Sequence, residues 1–320
     1  MILCRTPHPL LSRLDPDAAS VSSVWVMVMT VLDTAPGMSN VLAVAEPSRR
    51  AALSRLLTPM RDMYRYFPGE PDLVALHEMG FGFPLDRPTD VLRDALDSLV
   101  QADAWGRIER ALTAAVEVQA AAVPDLVVPD ISTLLILGNP DDEYFMGPAR
   151  GFSGNGSMTG FITLTLWPTE ENLERLEAAA VHELHHNLRY APGGVVWDPA
   201  TVQVGEQVIS EGLADAFARQ LHGALGYTPI GLPHLEDDDV LTRMLAGLDV
   251  AGMDNFAAWV HGDDAARRFG AEPVGVPTGA GYAVGNRMVD AYLSSTGTAA
   301  ADALHMPSRD IIDIARRAFA

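Results

Sequence analysis

Between Phe161 and Leu221 the chain spells out a strand followed by two helices, and the polar residues on those helices restrict how they can pack. Phe161-Ile162-Thr163-Leu164-Thr165-Leu166-Trp167 alternates apolar and polar residues and stops at Pro168, the pattern of a half-buried strand. Thr169 is a good N-cap, and Glu170, Glu171 and Glu174 follow it in the first turns, where helix starts favour acidic residues. The helix is predicted to run from about Glu170 to Tyr190, because Pro192-Gly193-Gly194 ends the pattern. A second helix is predicted over about Thr201 to Leu221, with Gly223 as its stop.

The first helix carries Val181-His182-Glu183-Leu184-His185-His186. His182 and His186 stand at i and i+4, so their imidazoles share one helix face a turn apart and can bind one cation. Zinc suits two imidazoles in a tetrahedral set. Glu183 projects beside such an ion, where it can take a proton from a water whose pKa the metal lowers towards about 7. On the second helix, Glu211 in Ser210-Glu211-Gly212-Leu213-Ala214-Asp215 supplies a third ligand and leaves a fourth position for water. Asp215 lies one turn on, on the same face, where it can accept the outer N–H of a ligand histidine. Gly212 suits a close approach of the two helices. His185 points about 100° away from His186 and is expected to pack or hydrogen-bond behind the ligands. Arg189 is placed to pair with Glu206 or Asp215, or to favour the helix C-terminus.

Elsewhere the pattern is helical with a little sheet. Trp25 to Leu32 reads as a buried strand, Pro47 to Tyr66 as a helix, Leu92 to Val123 as one or two more, and Ile131 to Leu137 as a strand closed by Gly138-Asn139-Pro140. Residues 147–160 hold five glycines among Ser and Asn, which marks a mobile or tightly turned loop. Further helices are expected at about Asp239 to Leu248, Gly285 to Leu293 and Arg309 to Phe319. Asp237-Asp238-Asp239 reads as a solvated helix start and lacks a calcium-loop pattern.

Charge narrows the partners. With 22 Lys plus Arg against 42 Asp plus Glu, the net charge of -20 repels phosphate backbones and anionic headgroups, so neither nucleic acid nor a membrane surface is expected. The single cysteine, Cys4, excludes an internal disulfide framework and a Cys-based zinc finger, and suits a cytoplasmic location. Arg5 and Arg13 before the apolar run Val21 to Leu32 imitate a signal peptide. Asp15, Asp17 and the early prolines break that pattern, and the run is too short to span a bilayer. Met27 and Met29 are alternative starts for the chain. Nothing in the sequence fixes an oligomeric state.

The ordered set His-Glu-x-x-His, then Glu-x-x-x-Asp on a following helix, resembles the gluzincin group of zinc metallopeptidases. The wording His-Glu-Leu-His-His-Asn-x-Arg, Ser-Glu-Gly-Leu-Ala-Asp and Gly281-Tyr282-Ala283-Val284-Gly285 is similar to a bacterial domain-of-unknown-function family of predicted zinc-dependent proteases, over roughly residues 130–295. The resemblance implies His182, His186 and Glu211 as ligands of one catalytic Zn2+ and Glu183 as general base. Asn187-Leu188-Arg189 lacks the metzincin continuation, and the aspzincin Gly-Thr-x-Asp pattern is absent. In gluzincins an edge strand before the metal helix pairs with extended peptide, so the resemblance gives Phe161 to Trp167 that role; it reads equally as an ordinary internal strand. The oxyanion of amide hydrolysis needs a donor besides the metal. Tyr282 is the first candidate and also reads as a buried tyrosine; His261 is second and reads more readily as a surface-loop residue.

These readings add up to an α+β protein, with a mainly helical N-terminal region over 1–125 and a zincin-like metallohydrolase domain over 126–320. The zincin-like core comprises a short mixed sheet, the HExxH helix and the Glu-bearing helix, with additional helices. The expected activity is hydrolysis of peptide bonds in a peptide or protein substrate. Two alternatives are a metallohydrolase acting on another bond and a non-catalytic zinc protein whose site a fourth ligand, such as His222 or Asp198, closes.

Overall fold

The computed structural model describes residues 29–319. In chain order its elements are β1 (Met29–Val31), α1 (Ala35–Ala43), α2 (Glu46–Leu57), α3 (Leu73–Met79), α4 (Asp90–Gln101), α5 (Ala104–Ala122), β2 (Ile131–Leu137), α6 (Glu143–Met146), β3 (Phe152–Asn155) and β4 (Phe161–Leu166). There follow α7 (Glu170–Glu174), α8 (Leu176–Arg189), α9 (Val204–His222), α10 (Asp238–Leu245), α11 (Asp263–Phe269), α12 (Ala280–Thr296) and α13 (Ser308–Ala318). The protein is thus α+β, mostly helical around one small mixed sheet. None of the described helices is long and apolar enough to cross a membrane.

The sheet order is β1-β2-β4-β3, with the first three strands parallel and β3 antiparallel at the edge. Phe161–Leu166 is therefore internal, between β2 and β3, and the expectation of an edge strand there is corrected. The edge falls to Phe152–Asn155, inside the stretch read as a loop. Its Ser, Gly and Asn have low strand propensity, so composition hid it. The remainder of that stretch is tightly turned. The Asn187 side chain donates to the carbonyls of Gly156, Met158 and Phe161 and accepts from the Gly160 N–H at 2.8 Å. Of the strand read at Trp25 to Leu32, residues 25–28 lie outside those described, as do Cys4 and the leader-like segment.

Several boundaries moved for local reasons. Pro59, which lacks an N–H, converts the end of the Pro47–Tyr66 helix into a 3-10 stretch, Thr58–Tyr64. Asp103 adopts a left-handed conformation (φ 50°) that divides α4 from α5. The long helix read over 170–190 breaks at Arg175, whose guanidinium turns aside to the Leu225 and Tyr227 carbonyls. Thr169 caps α7 through the Asn172 N–H, Gly223 closes α9, and Asp237 caps α10.

One apolar cluster runs from Met38 to Ala315 and joins the helices before β2 to the sheet and to α8, α9 and α12. Almost all of α8 is buried, as is α9 from Val204 to Ala218 apart from Glu206. The α9–α12 crossing is a close one. A Cβ added at Gly212 would overlap the Gly285 carbonyl, and one at Gly285 would overlap the Val208 carbonyl. Gly212→Ala is expected to cost about 3 kcal/mol of stability by this overpacking. Urea unfolding of the variant beside wild type measures it; an unchanged midpoint would show that the helices separate freely.

Candidate metal centre

α8 presents His182 and His186 to α9, which answers with Ser210, Glu211 and Asp215, while Glu183 between the two histidines in sequence faces away from α9; all six are buried. His182 Nε2 lies 3.0 Å from Glu211 Oε2 and 3.0 Å from His186 Nε2, and His186 Nε2 lies 3.3 Å from Glu211 Oε2. A tetrahedral zinc with bonds of about 2.0–2.1 Å holds its ligand atoms about 3.3 Å apart, so this triangle fits such an ion. Two imidazole nitrogens and a carboxylate oxygen also match the donors zinc takes. Among the described residues no fourth His, Cys, Asp or Glu joins these three. Asp198 is exposed and His222 ends α9, so neither closes the site.

The outer nitrogens are held differently. His182 Nδ1 donates to Asp215 Oδ1 at 2.9 Å, whereas His186 Nδ1 meets the Ser210 hydroxyl at 3.0 Å. Asp215 is itself fully engaged: it accepts from the Thr228 N–H and hydroxyl and from the Asn286 amide at 2.7–2.9 Å. Burial works against charge on His182, but hydrogen bonds to Asp215 and Glu211 outweigh it and hold the imidazole pKa well above its usual value. Burial likewise opposes the Glu211 carboxylate, yet the charge of His186 and the hydrogen bonds from both histidines hold its pKa far below the ordinary range. Proton and cation therefore compete for one nitrogen beside a permanent anion.

Glu183 points to the opposite wall. A Cβ on Gly154 would overlap its carboxylate, and one on Gly156 would overlap its main chain, so these two glycines of the edge segment let α8 come against it. Burial raises the Glu183 carboxyl, while the His182 and His186 imidazoles pull it down. Tyr282 stands in the first turn of α12, which begins at Ala280 and not at Gly285 as expected. Its ring centroid is 6.3 Å from that of His182. Burial, reinforced by Glu211, Glu183 and Asp215, pushes its phenol well above its usual value, so it is protonated at neutral pH.

His261 corrects its reading as a surface-loop residue. It ends a π-helical turn, Ala257–His261, and is half-buried with its ring 5.7 Å from that of Tyr282. His185 is fully buried against Phe217, and neither ring nitrogen has a hydrogen-bond partner among the described residues. Burial, then the neighbouring His186 and Arg189, keep it neutral. Arg189 pairs with Glu206 at 2.9 Å, not with Asp215, and also donates to the Leu304 and Met306 carbonyls.

Four contributors had not been singled out: Ser210, Thr228, Asn286 and the pair Gly154/Gly156. Ser210 directly precedes Glu211, and Asn286 lies at i+4 from Tyr282. That second spacing marks one helix face only once the α12 start is known.

Two cavities meet at the cluster, one of about 330 Å³ and one of about 200 Å³. Both are lined by His182, Glu183, His261, Tyr282 and the edge residues Ser153 and Gly154.

The fold and site define an α+β protein with a buried His–His–Glu cluster of metal-binding geometry. The chain belongs to the family described as "Predicted Zn-dependent protease (DUF2268)", whose model matches residues 104–313. It is 31% identical over 168 residues to a Bacillus subtilis (strain 168) protein described as "Uncharacterized protein YjfC". That match covers 51% of this chain and 54% of the relative, so the chain spans about half the length of the protein it resembles. No solved structure matches.

Asp215→Asn removes the charge behind His182 while keeping its shape. It is expected to weaken zinc binding about 10–100-fold. Competition with a chromophoric chelator measures it; an unchanged affinity would remove Asp215 from the site.

Proposed function

We propose that the protein is a zinc-dependent peptidase with a zincin-like core of the gluzincin type, hydrolysing peptide bonds with Glu183 as general base. The observation that carries this reading is the set of three ligand-competent atoms with Glu183 beside it, all on the wall of a cavity lined also by Ser153, Gly154 and Asn155 of β3, whose outer edge no described strand pairs with. His182, His186 and Glu211 would hold the ion, with Asp215 and Ser210 fixing the two imidazoles. When bound, zinc supplies Lewis-acid chemistry, polarising a carbonyl and lowering the pKa of a water.

The chain's own residues do the rest. Glu183 takes the proton from the attacking water and passes it to the leaving amine. Its burial against Gly154 keeps bulk solvent from that transfer, and the nearby His182 and His186 imidazoles favour its charged form. Tyr282, protonated and facing the same cavity, donates its hydroxyl hydrogen to the oxyanion that forms on the former carbonyl. The edge of β3 is the element suited to hold an extended substrate by main-chain hydrogen bonds.

Glu183→Gln, Glu211→Ala and Tyr282→Phe separate these roles. With zinc supplied, wild type should cleave a fluorogenic peptide library. Glu183→Gln should keep its zinc and lose at least about 100-fold in kcat. Tyr282→Phe should keep zinc and lose on the order of 100-fold. Glu211→Ala should lose much of both zinc and cleavage. A Glu183→Gln protein that cleaves at the wild-type rate would end this proposal.

A further inference from the structure

The larger cavity does not stop at the histidines. It continues round the edge of the sheet into an apolar recess walled by Leu57, Met60 and Met63 at the end of α2 and its 3-10 extension, and by Leu73 and Leu76 of α3. Its floor is the face of the sheet that carries Leu134, Ile136, Thr163 and Thr165. Met60, Met63 and Leu73 are each at most 5% exposed, so the far end is closed, whereas Leu76 is half-buried nearer the mouth.

The register of β3 connects this recess to the metal cluster. Trp167 N–H donates to the Gly151 carbonyl, and Ser153 lies opposite Thr165, so bonded and non-bonded pairs alternate with Ser153 bonded to β4 and Gly154 not. The Gly154 N–H and carbonyl therefore face outward, where no described strand pairs with them. The Cβ direction of Gly154 points at Glu183. Successive residues of a strand point to opposite faces, so Ser153 and Asn155 point the other way, and both line the recess. A peptide laid along this edge would follow the same alternation. The residue opposite Gly154 would turn towards Glu183, and its neighbours would turn into the recess.

We propose that this recess is a substrate subsite that takes one large apolar side chain of the extended peptide, next in sequence to the residue facing Glu183. The proposal rests on the peptidase reading for its substrate and goes beyond it in naming a specificity pocket. Two flexible methionines in the wall adapt to Leu, Met or Phe side chains without selecting one shape. An acidic side chain there would lose its hydration and meet no cation: the polar groups along the recess are the neutral hydroxyls of Tyr64, Thr163 and Thr165, and burial holds the His77 imidazole uncharged. The wall lies wholly before residue 104, where the family match begins, so the preference would belong to this chain's own N-terminal helices.

The test uses the full chain carrying Glu183→Gln, incubated with zinc and labelled with 13C-methyl methionine. Met60→Leu and Met63→Leu versions assign the two signals. Two hexapeptides are added at millimolar concentration, identical except for Leu or Asp at one central position, with that position moved along the peptide in successive pairs. The Leu peptide of one pair should shift the Met60 and Met63 methyls, and its Asp partner should not. In cleavage by zinc-loaded wild type, Leu should exceed Asp by at least 10-fold in kcat/KM at that position, and Leu76→Arg should narrow or reverse the ratio. Methyl signals that stay in place with every peptide, or that move equally with Leu and Asp, would overturn the subsite. Shifts with the Leu peptide alone, but no cleavage by wild type, would support the subsite and remove the peptidase reading.

Discussion

The Asp215 carboxylate ties together the parts from which the site is made. Four donors converge on its two oxygens, from His182 on α8, from the main chain and hydroxyl of Thr228, and from Asn286 on α12. A buried carboxylate is costly unless its lone pairs are filled, and filling them here requires three separate segments to arrive together. Glu211 sits one helical turn before Asp215, so fixing one carboxylate against His182 also sets the other. The Gly212–Gly285 contact permits this, since any side chain there would hold α9 and α12 apart.

The same logic extends along α8, whose buried face is unusually polar. Asn187 gathers the turn that follows β3, and Arg189 with Glu206 reaches the carbonyls of Leu304 and Met306 and the Ser308 hydroxyl at the start of α13. Tyr190 and Ser308 both donate to Glu206 as well. Each of these side chains exchanges water for a fixed partner, so α8 has one way to sit in the protein. His185 differs: it is buried with no hydrogen-bond partner among the described residues and packs as a neutral ring against Phe217.

Local pattern made part of this legible. The i, i+4 histidines, the capped helix starts and the glycine stop at 223 are short-range signals, and the elements fall close to where those signals put them. What depended on distant pairing was not readable. The alternation in Phe161–Leu166 announces a strand, but whether β4 is edge or internal depends on where Phe152–Asn155 pairs. That segment reads as a loop because it carries Gly154, which admits the Glu183 carboxylate, and glycine lowers strand propensity. In α12, Gly281 and Gly285 delayed the apparent helix start, although a Cβ on Gly281 would crowd the Val260 main chain, which accounts for the residue. His261 looked like surface because its flanking Gly262 and Asp263 are loop residues by type, whereas a π-helical turn brings its ring beside Tyr282.

The central claim is that His182, His186 and Glu211 together hold one zinc ion. X-ray absorption at the zinc edge of zinc-loaded protein, normalised to metal per chain, tests it most directly. The account predicts one zinc with only nitrogen and oxygen neighbours at about 2.0–2.1 Å and the outer-shell signature of two imidazoles. A first shell containing three or more imidazoles, or a protein that takes up no zinc from solution, would contradict it.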